Sequence, residues 1–537
     1  MRGGRVVAIG PDLAGARRID AAGLVVSPGF IDIHTHYDAQ VFWDPALTPS
    51  AYHGVTTVVA GNCGLSIAPT RAEHRDVMIG ILESVEDMDP ASLAAGIAWD
   101  FETFPAYLEA VERRTPALNF ACYLGHTPLR LFVMGEDAFA RAATGEEIAR
   151  MAEVLAAAMR AGAAGFATSF AFTHSDAAGR PIPSRLSDAA ELEALAAVLG
   201  ALDIGVVEIS PGQQCSVADA YGLQRRVGVP FTYGALLSDP DGRHEGLVAL
   251  NRAGWQGGAQ VWPQVTSRPV TVEFGMAHPG VLFNLNPSFQ ALKAASAAER
   301  RAAYRDPRWR QQASAGFDTV DRLRPRWETF RLSRCAAHPE LVGTPVTELP
   351  GAAASGPLGA ILDLALGCDD LEAWIHGVVS NDDEEAVGAL LREEHCTLGL
   401  SDAGAHLSQL CDAPQATDFL GSWVRDRAVM PLEAGVRRLT GLQADLFGFA
   451  GRGYLREGAW ADIAVFDPAT IGPGPLRRVR DFPAGAERLT ADRPSGVVHV
   501  LVNGTPIRLD GTQIEDAGAA RPGRVVRPAT HASYRAT

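Results

Sequence analysis

Short apolar runs rich in β-branched residues alternate, along most of the chain, with longer Ala-rich stretches whose apolar positions recur at helical spacing. Strands buried on both faces read as near-continuous hydrophobic runs, and their alternation with helices is the pattern of a parallel sheet. Eight runs fit, at 29–33, 55–60, 118–126, 164–170, 205–210, 229–236, 259–265 and 397–406. They predict a (β/α)8 TIM-type barrel. The interval 269–395 is too long for one barrel helix and is read as an insertion on the rim, partly helical through AERRAAYRDPRWRQQA, in the position of a lid or substrate wall. Its own apolar run, AWIHGVV, is an alternative for the eighth strand.

The two ends of the chain follow a different habit. GRVVAIG and GLVV near the start, and ADIAVF and GVVHVLVNG near the end, are short strands punctuated by Gly and Pro, with Asn503-Gly504 as a hairpin turn. Each end supplies too few strands for a core of its own, so the expected domains are 1–27 together with 451–537 as one small β-sandwich. The barrel then takes 28–450, with its rim insertion at about 270–395.

Chemistry collects where the runs stop. The first run delivers His34 and His36 just past its end, and a strand's period of two turns both imidazoles the same way. The second closes on Gly61-Asn62-Cys63-Gly64, which sets a thiol at the corresponding end of a neighbour. Three nitrogen and sulfur donors are enough for a zinc site. In a closed barrel the eighth strand lies beside the first, which brings Asp402 to the same mouth.

PGFIDIHTH, HGVTTVVAGNCG and GLSDAGAH resemble the metal-dependent amidohydrolase superfamily, and the Cys of GNCG resembles its branch of N-acyl-D-amino-acid deacylases, over nearly the whole chain. The resemblance implies a barrel beside a small β-sandwich, zinc as cofactor, and hydrolysis of an amide on a small substrate carrying a carboxylate. It makes His34, His36 and Cys63 the core metal ligands and Asp402 the group that takes a proton from the attacking water and passes it to the leaving nitrogen. The family also closes its tight zinc site with a histidine from strand five and another from strand six. This chain has Glu208 in VVEIS and no histidine in VPFTYGALL. Glu208 is read either as a replacement ligand or as a buried ion-pair partner.

His126, in CYLGHTPLR, resembles the family's GH-x-x-LR element, where a neutral imidazole polarises the scissile carbonyl or orients a ligand; a satisfied core histidine is the other reading. Arg268 and Arg130 are the candidates for a bidentate grip on the substrate carboxylate, with Arg185 read as an internal ion pair. His174, His376 and His406 fall near the same rim. Neighbouring chemistries of the superfamily, cyclic amide or dipeptide hydrolysis, and a silent barrel serving as a binding or assembly subunit, are the alternatives.

Composition narrows the picture further. With 537 residues and 47% hydrophobic content the chain buries one large core and a smaller one, which excludes disordered and fibrous classes. A formal charge of −16, from 47 basic and 63 acidic residues, argues against nucleic acid or an anionic membrane as partner and leaves a homo-oligomer open. Seven scattered cysteines without a CxxC pair, no long apolar run and no cleavable leader lead to the expectation of a cytoplasmic protein. The resembling family carries further strands ahead of the equivalent of Gly4, so either the start is assigned too late or the small sheet has lost an edge and exposes a neighbouring strand. The only lysine, Lys293, lies far from any barrel strand. A carboxylated lysine bridging two metals is therefore not on offer, and the expectation is one firmly bound zinc with at most a weaker second ion.

Overall fold

The computed structural model describes residues 1–293, 295–319, 324–514 and 521–535. Eight parallel strands make one curled sheet in chain order: β1 (Phe30–Asp32), β2 (Val55–Ala60), β3 (Asn119–Gly125), β4 (Gly165–Ser169), β5 (Val206–Ser210), β6 (Phe231–Tyr233), β7 (Val261–Val265) and β8 (Thr397–Leu398). These are the eight runs seen in the sequence. β2, β3, β4 and β5 are buried along their whole length, which is why they carry no polar alternation. The ring closes beyond the ladder. Thr35 bridges Ala403 in parallel, the His36 N–H donates to the Ala403 carbonyl at 2.8 Å, and Ser401 Oγ donates to the His34 carbonyl at 2.9 Å. The seam of the barrel is thus the stretch that carries the candidate chemistry.

The rim insertion is a body of its own. Its antiparallel sheet joins Arg331–Cys335, Ala373–Ser380 and Val270–Gly275, and helices between residues 280 and 367 cover an apolar core that includes Phe274, Phe283, Phe289, Tyr304, Ile361 and Ile375. AWIHGVV is the middle strand of this sheet rather than a barrel strand. After Ser380 the chain returns to the barrel, since helix Glu384–Arg392 sets Val387, Leu390 and Leu391 into the main core.

Both ends of the chain enter one five-stranded antiparallel sheet in the order Val25–Pro28, Ile463–Phe466, Val497–Val502, Thr505–Leu509, Thr512–Gln513. Val6, Ala461, Ile463, Val465 and Leu501 form its separate core, so the sheet-rich unit is a small β-sandwich. Two stretches leave this unit. The hairpin Arg477–Val479 with Arg488–Thr490 climbs to the barrel mouth, where Arg478 pairs with Glu273 of the insertion and donates to the Ser408 carbonyl at 2.8 Å. Residues beyond 521 turn back under the barrel, with Phe120 N–H on the Arg524 carbonyl and Val526 N–H on the Phe120 carbonyl. That return has no local signature, because its partners are backbone groups about 400 residues away.

Candidate metal centre

His34 is fixed from both sides. Its Nδ1 sits 2.6 Å from Gln264 Oε1 on β7, and since an amide oxygen only accepts, Nδ1 carries a proton and Nε2 is the nitrogen turned toward the mouth. Around Nε2 stand Asp402 Oδ1 at 3.0 Å and Cys63 Sγ at 3.7 Å. His36 Nε2 lies 3.7 Å from the same Asp402 oxygen and has no hydrogen-bond partner. The ligand atoms of His34, His36 and Cys63 all fall within 4.8 Å of one another.

The GNCG turn explains how a thiol reaches this point. Cys63 itself has φ 56°, a left-handed conformation that costs a side-chain-bearing residue about 1–2 kcal/mol. Gly61 and Gly64 are left-handed as well, and a Cβ on Gly61 would stand 2.5 Å from the Tyr123 carbonyl oxygen. The glycines let the turn press onto β3 and β4, and the strained cysteine is aimed inward.

Glu208 reaches the edge of the cluster. Its Oε2 accepts the Cys63 N–H at 3.0 Å, its Oε1 has no partner, and it lies outside the three-residue group of close ligand atoms. Beside it, Gly234 follows the end of β6, where a Cβ would stand 3.7 Å from His34 Cε1 and 3.9 Å from Glu208 Oε1, so the chain presents no side chain at that position.

Electrostatics set this pocket apart. Burial alone would lower the pKa of His34, but the Asp402 carboxylate and Cys63 raise it well above the usual imidazole value. Asp402 is the mirror image: burial pushes it up, and His34 and His36 hold it well below the usual carboxylate range. Burial drives His36 down to about 4, Glu208 up to about 7 and the Cys63 thiol up to about 12. Glu86, at the end of helix Arg75–Glu86, is raised well above its ordinary value by burial and by Asp402. Imidazole nitrogens, a thiol and carboxylates crowd together here, and among the described residues no Arg or Lys pairs with any of these acids. Orphaned buried atoms on His36, Glu86 and Glu208 complete the match to a cation.

Two other expected site residues are elsewhere. His126 and Arg130 have no exposed surface: the imidazole lies 2.8 Å from Thr168 Oγ1 and 2.8 Å from Glu191 Oε1, and Arg130 pairs with the other Glu191 oxygen and donates to the Arg141 carbonyl at 2.8 Å. Its Nε has no partner, but the guanidinium is buried against Glu191 and closed to a substrate, and the imidazole takes the reading of a satisfied core histidine. Arg268 is likewise engaged, its Nε 2.5 Å from Asp412 Oδ1 with Asp418 4.0 Å away. Arg185 departs from its reading as an ion pair. It donates to the His174 carbonyl at 3.0 Å, its Nε has no partner, and no carboxylate pairs with it among the described residues. His376 lies on the insertion's middle strand. Lys293 ties the insertion to the rim, donating to the Asp176 carbonyl at 2.8 Å and to Ser84 Oγ at 3.1 Å.

Residues 17–227 and 304–508 match the amidohydrolase family. The chain belongs to that family. A D-aminoacylase of Alcaligenes xylosoxydans xylosoxydans is 30% identical over 512 residues, which span 94% of this chain and 89% of that one. Among solved structures, a D-aminoacylase studied for its binuclear metal center superposes with a TM-score of 0.67 at 25% identity, covering 98% of this chain and 94% of the other. An N-acyl-D-glutamate deacylase from Bordetella bronchiseptica, complexed with zinc and a phosphonate mimic of the tetrahedral intermediate, gives 0.65 at 27% identity over the same shares. The chain is thus a hydrolase of the amidohydrolase family acting on carbon–nitrogen bonds other than peptide bonds, and the silent-barrel alternative is not favoured.

Glu86, Gln264 and Ser401 escaped the sequence reading. Glu86 left a trace, being an acid in register with Met78, Ile81 and Leu82 on the buried face of its helix. Gln264 and Ser401 sit inside buried runs and left none.

Proposed function

We propose that this amidohydrolase removes the acyl group from an N-acyl-D-amino acid, using one firmly bound zinc ion held by His34, His36 and Cys63. The convergence of those three donor atoms beside Asp402 carries the reading. A dication held here by His34, His36 and Cys63 would supply Lewis acidity and lower the pKa of the attacking water toward about 7. The rest falls to the chain's own groups. Gln264 holds His34 with Nδ1 protonated and Nε2 turned toward the mouth. Asp402, partly exposed at the mouth, receives a proton from the attacking water and returns one to the departing nitrogen, a contribution of typically about 10² to 10⁴ in rate. Glu208 braces the Cys63 turn through its peptide nitrogen.

The substrate carboxylate is assigned to Arg185. Unlike Arg130 and Arg268 it has no carboxylate partner among the described residues, and its Nε, like the buried one of Arg130, has no partner. It also donates to the carbonyl of His174, whose pKa burial, His406, Arg185 and His36 lower to about 3, and this neighbourhood supports a position near the mouth. In the described residues no helix is long and apolar enough to cross a membrane. The proposed cytoplasmic location accords with the seven free thiols.

The test is zinc analysis of dialysed protein together with hydrolysis of N-acetyl-D- and N-acetyl-L-amino acids. One retained equivalent and turnover of the D series are expected. Zinc-free protein, or two equivalents surviving exhaustive dialysis, defeats the proposed centre, and turnover confined to cyclic amides or dipeptides transfers the site to the neighbouring chemistry.

A further inference from the structure

β4 ends on Ser169, and the hydroxyl there fixes a histidine that the metal centre leaves unused. Ser169 has no exposed surface, so its O–H finds its acceptor inside the protein. Its oxygen accepts the Ala171 N–H at 3.2 Å, and its only other hydrogen-bond neighbour among the described residues is His174 Nδ1 at 2.8 Å. The hydroxyl proton therefore goes to Nδ1, and the imidazole carries its own proton on Nε2. A nitrogen in that state ligates no metal; it can only donate. Among the described residues Nε2 has no hydrogen-bond partner, and the ring is partly exposed.

The imidazole is held in place from several sides. His174 N–H donates to the Ala171 carbonyl at 3.1 Å, and the His174 carbonyl accepts Ile182 N–H at 3.4 Å and Arg185 Nη1 at 3.0 Å. Just along the loop, Lys293 of the insertion donates to Ser175 Oγ at 3.4 Å and to the Asp176 carbonyl at 2.8 Å. The turn that carries Cys63 packs on the same strand end, since a Cβ on Gly64 would stand 3.0 Å from Thr168 Cα and 3.2 Å from the Ser169 nitrogen. One hydroxyl thus joins His174 to the strand end that supports the metal-centre turn. Burial, together with the charges of His406, Arg185 and His36, lowers its pKa to about 3, against the opposing pull of Asp402, so the ring is neutral.

We propose that His174 is a catalytic residue, donating its Nε2–H to the acyl carbonyl oxygen of the substrate as that oxygen gains negative charge. The proposal deepens the deacylase reading above and rests on it. In an N-acyl amino acid only the nitrogen and Cα separate the carboxylate carbon from the acyl carbon. A carboxylate on Arg185 therefore keeps the acyl carbonyl close to the residue whose backbone Arg185 holds. His174 keeps its proton throughout: Asp402 serves the water and the leaving nitrogen, and His174 stabilises the oxyanion alone. A fixed N–H that meets a charge present only in the transition state lowers the barrier without tightening the ground state.

Zinc-loaded wild-type protein and the variants His174→Leu, His174→Gln and Ser169→Ala are assayed on N-acetyl-D-leucine, N-acetyl-D-methionine and N-acetyl-D-glutamate, with retained zinc measured beside activity. His174→Leu should lower kcat by about 10² to 10³, with KM and zinc content close to wild type. His174→Gln, whose amide nitrogen sets a donor near the lost one, should recover about tenfold of that. A phosphonate mimic of the tetrahedral intermediate should lose affinity in step with kcat/KM across the series. In metal-free protein labelled with ¹⁵N-histidine, the His174 signals, identified by their loss in His174→Gln, should show one tautomer with the proton on Nε2, and Ser169→Ala should mix the two. Unchanged kcat in His174→Leu, a loss confined to KM, or a loss that follows departing zinc overturns the role, as does a wild-type proton on Nδ1. Wild-type protein that hydrolyses none of these substrates defeats the deacylase reading, and the oxyanion role falls with it even where the tautomer is as stated.

Discussion

His126, Glu191 and Arg130 on one flank of the barrel, and His34, His36, Asp402 and Glu86 at its mouth, are built from similar residue types and lie largely out of solvent. In the first group both imidazole nitrogens and both carboxylate oxygens are matched, only the Arg130 Nε is without a partner, and the guanidinium charge cancels the carboxylate. In the second, His36 Nε2 and Glu86 Oε1 have no partner and acids outnumber cations. A closed, neutral knot stiffens a barrel; an open, anionic one waits for a cation. Burial and residue type do not separate the two. The balance of charge and donors does.

The comparison is broken most sharply at the mouth. Asp402→Asn keeps the shape and removes the proton acceptor, so kcat should fall by about 10² to 10⁴ with zinc content unchanged, as steady-state kinetics and metal analysis would show. A wild-type rate in this variant would return Asp402 to a structural role. The next largest effect belongs to the knot. Glu191→Ala strands a buried guanidinium and should cost about 3–5 kcal/mol of stability in denaturant melts, while zinc per folded molecule stays as in wild type. Should it empty the metal centre instead, the two clusters are not independent.

Arginine partnership gives a smaller contrast. Arg185→Ala should raise KM for an N-acyl amino acid about 10- to 100-fold while leaving its neutral amide nearly unaffected, from the loss of a charged hydrogen bond of about 1.5–3 kcal/mol. Arg268→Ala, which breaks a pair with Asp412, should shift both substrates alike. Equal losses on both substrates for Arg185→Ala would remove it as the anchor.

The smallest effect is a pH slope. Burial holds the folded-state pKa of His126 below its ordinary 6.5, and burial of Glu191 is outweighed by His126 and Arg130, which hold it below its ordinary 4.5. In each case the unfolded chain takes up a proton before the folded one does, so stability falls as pH drops below about 6.5 and falls further below about 4.5. His126→Gln should flatten the upper part of that slope in pH-dependent melts and leave the lower part. An unchanged slope would mean that His126 is not what titrates there.

All eight barrel strands were legible because each is a buried parallel strand, and burial on both faces writes itself into consecutive residues. The cores of the small sheet and of the insertion were legible as organisation but not as contacts. AWIHGVV shows the limit: as a lone apolar run it could join either sheet, and only its antiparallel neighbours Val270–Gly275 and Arg331–Cys335 decide. Arg130 and Arg268 were drawn toward the substrate because they follow strand ends, and such a position says nothing about which acid is packed against them.

By itself the sequence determined the strand count and the placing of His34, His36, Cys63 and Asp402 at one mouth. Local periodicity marks where a strand stops, and chain order in a closed barrel sets the eighth strand beside the first. Tertiary structure alone decided which charges cancel. Glu191 meets Arg130 across 61 residues and Asp412 meets Arg268 across 144, while Glu86 and His36 meet with nothing between them to settle the charge. Those pairings depend on how helices and loops pack above the strands, which local propensity does not encode, and the packing leaves the mouth short of positive charge.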